Sequence, residues 1–531
     1  MKEVLLHARR VGSEIETIGS RFCSLGHKLP CSSGGGHNGI FAEWRLEDSG
    51  LSVENDRYGF YPLYYFHQGS EICISTSIPR LIQNGAPREL DERALALFLR
   101  LGFFIGEDTP FKSIRALPPN AVLEWKAGDL QLSGGYTFAK RQDISRQDAL
   151  EGYIDLFGKS IQRRLPVSED FAVPLTGGRD SRHILLELYE CGYRPRILIT
   201  HKHYPPRCDE DAKVAGILAK ELKLPHTVID QRESWLGAEY RKNLLTNFCS
   251  DEHGQCLAMA DYLQGRASVV YDGIAGDVLS AGLFLTPHLL ELVDSGDLVA
   301  LANGIIDSAP TVAGFSENGL KLILSPEVYA RLDRELAVNH LAAELQRHVS
   351  AANPLSSFFF WNRTRREIAL LPYRLLAGIP NVYSPYLDHD LFDFLSSLPP
   401  AVTASQSFHN EAIHKGYPRY AHIPFEMKGI PGNDDFNQCV QTGRELARLV
   451  LLSKPSRLMR NASLRARLLR GLVNRAYCRS GRWSFYPLVL YLHQLERCSS
   501  PTGEDLRRSD GWSRLVHTSQ HASINAGQPS I

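Results

Sequence analysis

The chain has 531 residues, of which 43% are hydrophobic and 22% charged, and 59 lysines and arginines balance 59 aspartates and glutamates. This length predicts roughly two to four domains, and the neutral balance argues against a nucleic-acid binder, which usually carries a basic excess. The first sixteen residues lack the apolar core of a signal peptide, no apolar run approaches the length needed to span a bilayer, and no C-x-x-C pair occurs. The sequence therefore predicts a cytoplasmic protein with reduced thiols.

Residues 1–140 predict a strand-rich domain. Apolar runs of strand length recur between Gly, Pro, Asn and Asp turns, at residues 39–47, 62–66, 71–76 and 121–125. One helix, predicted over 90–102 from its helical spacing of apolar residues, interrupts these strands, and Asp91 is a candidate N-cap.

The pattern changes near residue 145, where 146–165 predicts an amphipathic helix. Strand and helix patterns then alternate, with strands at 171–175, 196–200, 226–230 and 268–273 and helices at 181–192 and 209–224. Such alternation is typical of a parallel sheet with right-handed crossovers, whose ligands bind at the carboxyl ends of the strands. From about 285 the chain reads as mostly helical, and 501–531 is a polar tail with disorder-prone composition.

One strand-to-helix junction, VPLTGGRDSRH at 173–183, carries chemistry. Its paired glycines let the backbone approach a ligand, and the free N–H groups of the following helix form an anion site, helped by the hydroxyls of Thr176 and Ser181. Asp180 would repel a bare phosphate, which indicates Mg²⁺ between the carboxylate and the phosphates. No lysine follows the glycines, so a Walker loop is excluded. A plain strand-to-helix turn is the competing interpretation.

The junction resembles the S-G-G-x-D-S pyrophosphate loop of the asparagine synthetase family of ATP-pyrophosphatases, with Thr176 in place of the first serine. The resemblance runs over roughly residues 40 to 430. Further stretches match family motifs in the family's order, at 56–65, 109–120, 209–210, 272–277, 384–388 and 425–429.

The resemblance implies an α/β protein of two domains. Residues 1–140 would form a glutaminase-like, Ntn-hydrolase-type αββα sandwich. Residues 146–500 would form a PP-loop, Rossmann-like synthetase domain with a parallel sheet and a helical C-terminal part.

The reaction implied by the resemblance uses ATP and Mg²⁺ to convert a carboxylate into an acyl-adenylate, releasing pyrophosphate, before an amine attacks to form an amide. The resemblance assigns Mg²⁺ to Asp180 and Asp277, and catalysis to these two residues and Lys428. A surface lysine is the plainer interpretation of Lys428. ATP and pyrophosphate binding fall to Leu175, Thr176, Gly177, Gly178, Asp180, Ser181 and Gly273.

Three departures from the family pattern bear on function. The family's glutaminase uses a cysteine as its N-terminal residue, whereas Lys2 follows Met1 here and the first cysteine is Cys23, so we expect an inactive glutaminase fold. The glutamate of the A-D-E motif is Val278; Asp272 is a candidate substitute, although a structural acid fits the pattern equally. The E-x-R pair is missing from 378–388, which weakens asparagine as the product.

These departures favour relatives that lack glutaminase activity, such as the β-lactam synthetases and lasso-peptide cyclases. The sequence therefore predicts an amide-forming ligase acting on a small-molecule or peptide carboxylate. The alternatives are an ammonia-dependent asparagine synthetase, a non-catalytic nucleotide-binding regulator and, less consistent with the neutral charge, a transfer-RNA-modifying enzyme.

Two further features leave their interpretation open. The segment 454–482 holds nine Lys or Arg and no acid, which fits either a charged helix face or a docking site for a carrier or precursor peptide. Cys249, His253 and Cys256 form a C-x-x-x-H-x-x-C spacing, but no fourth zinc ligand follows. The roles of Arg179 and Arg182 within the loop are also open.

Overall fold

The computed structural model describes residues 3–30, 37–126, 128–168, 170–205, 207–309, 314–426, 436–474, 477 and 485–500. Lys428, the tail 501–531 and parts of the basic segment 454–482 lie outside the described residues.

Two antiparallel sheets make up the N-terminal part. Their strand orders are β2-β1-β7-β6-β8 and β10-β9-β5-β4-β3. The strands are β1 (Leu5–Val11), β2 (Glu14–Gly19), β3 (Phe22–Pro30), β4 (His37–Glu47), β5 (Gly50–Asn55), β6 (Tyr64–Gln68), β7 (Glu71–Ser75), β8 (Arg115–Ala116), β9 (Val122–Lys126) and β10 (Asp129–Ser133). The four strands predicted here from sequence correspond to β4, β6, β7 and β9 and are confirmed.

The two sheets pack face to face because alternate residues of their strands are apolar. Trp44 on β4 and Trp125 on β9 meet Leu6 and Ile74 of the other sheet in one buried cluster. On the opposite side, helix α1 (Ile78–Gln83) lies against β6 and β7. The helix predicted over 90–102 is α2 (Glu92–Leu101), and the Asp91 carboxylate accepts a hydrogen bond from the Ala94 N–H at 3.1 Å, which confirms the predicted N-cap.

A parallel sheet forms the centre of the C-terminal part. Its strands are β11 (Phe171–Pro174), β12 (Ile197–His201), β13 (Thr227–Ile229), β14 (Val269–Tyr271) and β15 (Asn381–Tyr383), in the order β13-β12-β11-β14-β15. All neighbouring pairs are parallel, as predicted. The chain runs outward from β11 to β13 and then returns to the other side of β11, so the strand order reverses between β11 and β14. Ligands of open parallel sheets bind at such a reversal.

Helices cover both the sheet and the region after it. They are α3 (Arg146–Gln162), α4 (Asp180–Glu190), α5 (Glu210–Glu221), α6 (Trp235–Leu245), α7 (Leu257–Leu263), α8 (Gly276–Ser280), α9 (Pro287–Ser295), α10 (Leu298–Ser308), α11 (Glu317–Ile323), α12 (Pro326–Arg331), α13 (Arg334–Leu345), α14 (Pro354–Phe359), α15 (His389–Ser396), α16 (Pro400–Thr403), α17 (Phe408–Gly416), α18 (Phe436–Leu452), α19 (Asn461–Val473) and α20 (Tyr486–Ser499). Within the described ranges, none of these helices has the length and apolarity needed to cross a bilayer.

The predicted mixed α/β fold is confirmed: a double antiparallel sheet precedes a parallel sheet with many helices. The two parts contact through a buried ionic cluster. Asp388, which is fully buried, accepts hydrogen bonds from Arg163 at 2.5 Å, Arg164 at 2.7 Å and Asn38 of β4 at 2.8 Å.

Candidate functional site

The loop after β11 is held in place by the neighbouring strand β12. The Leu175 N–H donates to the Ile199 carbonyl at 2.8 Å, and the Thr200 hydroxyl donates to the Leu175 carbonyl at 2.6 Å. Leu175 is fully buried, so the chain turns from strand to loop at a fixed point. The loop residues that follow are therefore presented at the carboxyl edge of the sheet.

Thr176 and Ser181 close the loop onto the start of α4. The Thr176 N–H donates to the Ser181 hydroxyl oxygen at 3.0 Å, and the two hydroxyl oxygens are 3.2 Å apart. The Gly178 N–H donates to the Thr176 hydroxyl oxygen at 3.2 Å. Arg179, the N-cap of α4, makes no side-chain capping bond, so the first turn of this eleven-residue helix directs its N–H groups toward the loop.

Gly177 sits where three segments meet. Its N–H donates to Asp211 Oδ1 at 2.9 Å, and its carbonyl accepts from the Glu426 N–H at 2.9 Å. A Cβ at this position would lie 2.8 Å from Glu426 Cβ and 3.1 Å from Val214 Cβ, so the close approach requires glycine.

Asp211 stabilises this loop by accepting the hydrogen bond from the Gly177 N–H. The motif match at the neighbouring Asp209 and Glu210 did not identify this role. Asp211 also accepts a bond from His203 Nε2 at 3.0 Å. Burial alone would raise the pKa of Asp211, but the hydrogen bonds from His203 and Gly177 hold that pKa below its usual value.

Asp180 and Asp277 are brought together at the reversal of strand order. Asp180 opens α4 after β11, and Asp277 lies in α8 after the adjacent strand β14. One oxygen of each carboxylate and one nitrogen of His409 all lie within 4.8 Å of one another. Two carboxylates beside an amide-lined loop form a donor set suited to a divalent cation that also contacts phosphate.

Glycines after β14 permit this approach. A Cβ at Gly273 would lie 2.6 Å from Asp180 Cβ, and one at Gly276 would lie 2.3 Å from Asp180 Oδ1. Ala275, between them, adopts a left-handed conformation with φ of 75°. Such backbone is uncommon for alanine and is retained where surrounding structure over-determines it. The residues present therefore fit a cation, with the β14 loop shaped around the Asp180 carboxylate.

His409 of α17 is a site residue that the sequence did not reveal. Its Nδ1 lies 3.4 Å from Asp180 Oδ1 and 3.0 Å from the Ser280 hydroxyl, and its Nε2 lies 3.2 Å from the Tyr386 hydroxyl and 3.3 Å from His183 Nδ1. Burial, with a smaller contribution from the charge of Arg179, lowers the pKa of His409 to about 3, so the imidazole is neutral at physiological pH.

The two loop arginines have different surroundings. Arg182 is buried and donates to the carbonyls of Ile423 at 2.9 Å and Pro424 at 2.6 Å, with its guanidinium 4.1 Å from the centre of the Phe425 ring. Burial lowers the pKa of Arg182 to about 10, which leaves it charged at physiological pH. Arg179 is half-buried, and its Nε donates to Asn410 Oδ1 at 2.5 Å.

Arg182 thus fastens residues 423–426 to α4. We expect Arg182→Met to lower the apparent free energy of unfolding by about 2–4 kcal/mol. The substitution removes two charge-assisted hydrogen bonds and leaves two carbonyls without this donor. Urea denaturation measures the loss. Arg179→Met is the matched control and should cost less than about 1 kcal/mol, because Arg179 is half-buried and donates to a neutral side chain. Equal losses in both variants would contradict the fastening role.

The remaining candidates do not join the cluster. Val278 is buried in the apolar core. Asp272 accepts a bond from the Ile274 N–H at 2.9 Å, and burial raises its pKa to about 6. Among the described residues, the groups able to gather around one metal ion are Asp180 with Asp277 and His409, and a second acidic group at Asp251.

The C-x-x-x-H-x-x-C spacing does not converge on a common point. His253 Nε2 lies 3.1 Å from the Glu367 carbonyl, Cys249 Sγ donates to the Asn247 carbonyl, and Cys256 Sγ lies 4.0 Å from His201 Nε2. Each of these residues therefore has its own separate partner.

The N-terminal sheets bury both of their described cysteines. Cys23 lies in the apolar cluster between the two sheets, and Cys73 lies in the large apolar core on the other face of β7. Burial raises the pKa of Cys73 to about 12, which disfavours the thiolate that nucleophilic catalysis requires. Neither cysteine has the surroundings of a nucleophile.

Comparison with known proteins adds the following. A family profile described as a glutamine amidotransferase domain matches residues 4–137. The chain is 28% identical over 277 residues to asparagine synthetase (glutamine-hydrolyzing) 2 of Bacillus subtilis (strain 168); the match covers 46% of this chain and only 36% of that protein's length. A solved structure of the allosteric regulatory enzyme of purine biosynthesis matches at 12% identity, over 36% of this chain and 47% of that one, with a TM-score of 0.14, too low to support any argument.

The fold is that of an Ntn-like glutamine amidotransferase domain followed by a parallel-sheet domain. The chain thus resembles glutamine amidotransferases over residues 4–137 and an asparagine synthetase over 277 residues.

Proposed function

We propose that the chain is an ATP-dependent carbon–nitrogen ligase of asparagine synthase type, which activates a carboxylate as an acyl-adenylate and does not use glutamine as its nitrogen donor. The observation that carries the proposal is the pairing of Asp180 and Asp277 beside the loop 175–181 at the reversal of strand order. We also propose 1–140 as the glutaminase-like domain and 146–500 as the synthetase domain.

In the first half-reaction, a carboxylate oxygen of the substrate bonds to the α-phosphorus of ATP, and the bond from that phosphorus to the bridging oxygen breaks. Pyrophosphate leaves. The N–H groups of the first turn of α4 would hold the departing phosphates, together with the hydroxyls of Thr176 and Ser181, because the N–H groups of Thr176, Gly177 and Gly178 are bonded within the protein. Leu175 and Gly273, which follow β11 and β14, would shape this phosphate-binding site.

Asp180 and Asp277 would hold Mg²⁺, which when bound neutralises charge on the phosphates. The Gly273–Gly276 loop keeps the Asp180 carboxylate in position. Lys428 is proposed to stabilise charge at the reacting phosphate or acyl carbon, and it follows the segment that Arg182 fastens to α4.

In the second half-reaction, an amine attacks the acyl carbon, the bond from that carbon to the AMP oxygen breaks, AMP leaves with the electron pair of that bond, and the nitrogen loses a proton to solvent. We propose that this amine does not come from glutamine, because the described cysteines of the N-terminal sheets are buried in apolar clusters. The missing E-x-R pair at 378–388 favours a substrate other than aspartate, as in the β-lactam synthetase and lasso-peptide cyclase branch.

A peptide carboxylate or carrier could reach the site from the basic segment. Helix α19 buries Leu464 and Leu468 but leaves Leu469 and Val473 exposed among arginines, with Leu469 at 51% and Val473 at 84% exposure. An exposed apolar and basic face suits an acidic, apolar peptide. Replacing Arg465, Arg467 and Arg470 by glutamate tests this part of the proposal.

Release of pyrophosphate from ATP tests the proposed reaction. We expect release that requires a divalent cation and a carboxylate substrate, that stops in EDTA and that is unchanged by glutamine, because the proposed amine does not come from glutamine. A panel of amino acids, amino carboxylates and linear peptides is screened with AMP detected by chromatography. Release of ADP and phosphate, or glutaminase activity, would contradict the proposal, and turnover of aspartate with ammonia would identify an asparagine synthetase.

A further inference from the structure

The His409 imidazole is placed as a ligand beside the two carboxylates. Around an octahedral cation with bonds of about 2.1 Å, neighbouring ligand atoms are about 3.0 Å apart and opposite ones about 4.2 Å. Nδ1 of His409 is 3.4 Å from Asp180 Oδ1, and the three candidate ligand atoms, including one from Asp277, span no more than 4.8 Å. The Asp180 and His409 atoms are therefore close to the spacing of neighbouring ligands, and Asp277 supplies a third atom from within 4.8 Å.

The partners of Nε2 leave Nδ1 able to bind a cation. Nε2 faces the Tyr386 hydroxyl at 3.2 Å and His183 Nδ1 at 3.3 Å, and both can accept its proton. A metal-binding histidine typically donates its second ring N–H in this way, which orients the ring and selects the tautomer.

The Ser280 hydroxyl is compatible with this arrangement. It lies 3.0 Å from His409 Nδ1, but it also donates to the Gly276 carbonyl at 2.8 Å, and the Tyr153 hydroxyl lies 3.2 Å from its oxygen. The Ser280 hydroxyl can keep donating its single proton to the Gly276 carbonyl, so it need not occupy the Nδ1 lone pair, and Nδ1 lies 3.4 Å from the Asp180 carboxylate.

We propose that His409 is the third ligand of the cation site formed by Asp180 and Asp277, and that the site therefore prefers a first-row divalent transition metal to Mg²⁺. Imidazole nitrogen suits transition metals, whereas Mg²⁺ prefers oxygen ligands and retains its waters. The inference rests on the proposed function for the presence of a cation, but it concerns which cation binds and which residue selects it.

Electron spin-echo measurements on Mn²⁺ bound to the full chain test the assignment, with a non-hydrolysable ATP analogue present. We expect modulation from one directly coordinated ¹⁴N nucleus in the wild type. Labelling the histidines with ¹⁵N should replace the ¹⁴N modulation by that of ¹⁵N. This identifies the coordinated nitrogen as a histidine nitrogen without any substitution in the protein. Absence of nitrogen coupling, or absence of Mn²⁺ binding, would overturn the proposal.

Two variants assign the nitrogen to one residue. His409→Asn places an amide oxygen near the position of Nδ1, and we expect it to remove the nitrogen coupling and to lower the preference for Mn²⁺ over Mg²⁺ at least tenfold in equilibrium binding. His183→Phe, the control, keeps an aromatic ring against Phe157 and should retain the coupling because Tyr386 still accepts from Nε2. Coupling that persists in folded His409→Asn would refute the assignment.

The outcomes separate this inference from the proposed function. Nitrogen-coordinated Mn²⁺ without pyrophosphate release would support the ligand assignment and contradict the ligase proposal. Pyrophosphate release supported by Mg²⁺, with no nitrogen coupling to Mn²⁺, would support the ligase proposal and contradict the ligand assignment.

Discussion

Asp180→Asn is expected to lower the rate of pyrophosphate release by about 10²–10³-fold, because it removes a carboxylate from the proposed cation site while keeping the shape of the side chain. The carboxylate lies beside the first turn of α4, within 4.8 Å of ligand atoms of Asp277 and His409. Initial rates at saturating ATP and substrate measure the effect. Asp277→Asn should give a loss of similar size, and the double variant should lose less than the product of the two.

Asp272→Asn is the control for this prediction. Asp272 directly follows β14, the strand that precedes Asp277. Its carboxylate accepts a hydrogen bond from the Ile274 N–H, which an amide oxygen can also accept. We expect its rate to stay within about threefold of the wild type. A loss in Asp272→Asn equal to that in Asp180→Asn would mean that Asp272 replaces the acid missing at Val278, and that the cation site is built differently.

Local patterns were sufficient to predict the elements on which the site rests. Apolar runs bounded by turn residues predicted β11, β12 and β14, and their alternation with helices predicted parallel pairing. The carboxyl ends of adjacent parallel strands share one edge of the sheet. The sequence alone therefore predicted that Asp180 and Asp277 could face one another. Their roles as cation ligands remain a prediction.

Features that depend on distant parts of the chain were not predictable. Strand β15 has one buried apolar residue, Val382, between two half-buried residues rather than an apolar run, and it follows β14 only after a long run of helices. His409 lies on a helix after β15, and its sequence neighbours Phe408 and Asn410 carry no recognisable motif. Only the packing of α17 against α3 and α8 brings its imidazole to Asp180.

The loop arginines illustrate the same limit. Arg179 and Arg182 differ from small or apolar residues of the resembled motif, and the sequence could not distinguish contact with phosphate from contact with protein. In the structure Arg182 binds the carbonyls of Ile423 and Pro424, which are far away along the chain. A charged residue in a phosphate loop can therefore serve to hold a neighbouring segment.

Asp388→Ala is expected to lower the apparent free energy of unfolding by about 3–5 kcal/mol, the cost of leaving a buried charge without its partner. Asp388 is fully buried and accepts from Arg163, Arg164 and Asn38, and Arg164 is itself only 2% exposed. Because Asn38 belongs to β4, the cluster joins the antiparallel sheets to the parallel-sheet domain. Urea denaturation followed by tryptophan fluorescence measures the loss; Trp44 and Trp125 of the N-terminal sheets and Trp235 and Trp361 of the C-terminal part contribute to the signal.

Asp390→Ala is the control that distinguishes loss of the buried Asp388 carboxylate from loss of a partly exposed ion pair with Arg163. Asp390 contacts the same Arg163 at 2.6 Å but is 35% exposed, so its removal should cost less than about 1 kcal/mol. Equal losses in the two variants would contradict the assignment of the energy to the buried carboxylate.

The pH dependence gives the prediction about Asp388→Ala a second test. Burial acts to raise the pKa of Asp388, but the Arg164 guanidinium, with Arg163 and Asn38, holds it below its usual value. A carboxyl whose pKa is lower in the folded state contributes stability above its unfolded pKa of about 3.9 and loses that contribution as the pH falls through the folded value. The gap between wild type and Asp388→Ala should therefore stay constant from about pH 5 to 8 and narrow below about pH 4. A gap that widened on acidification would mean that Asp388 is protonated in the folded protein.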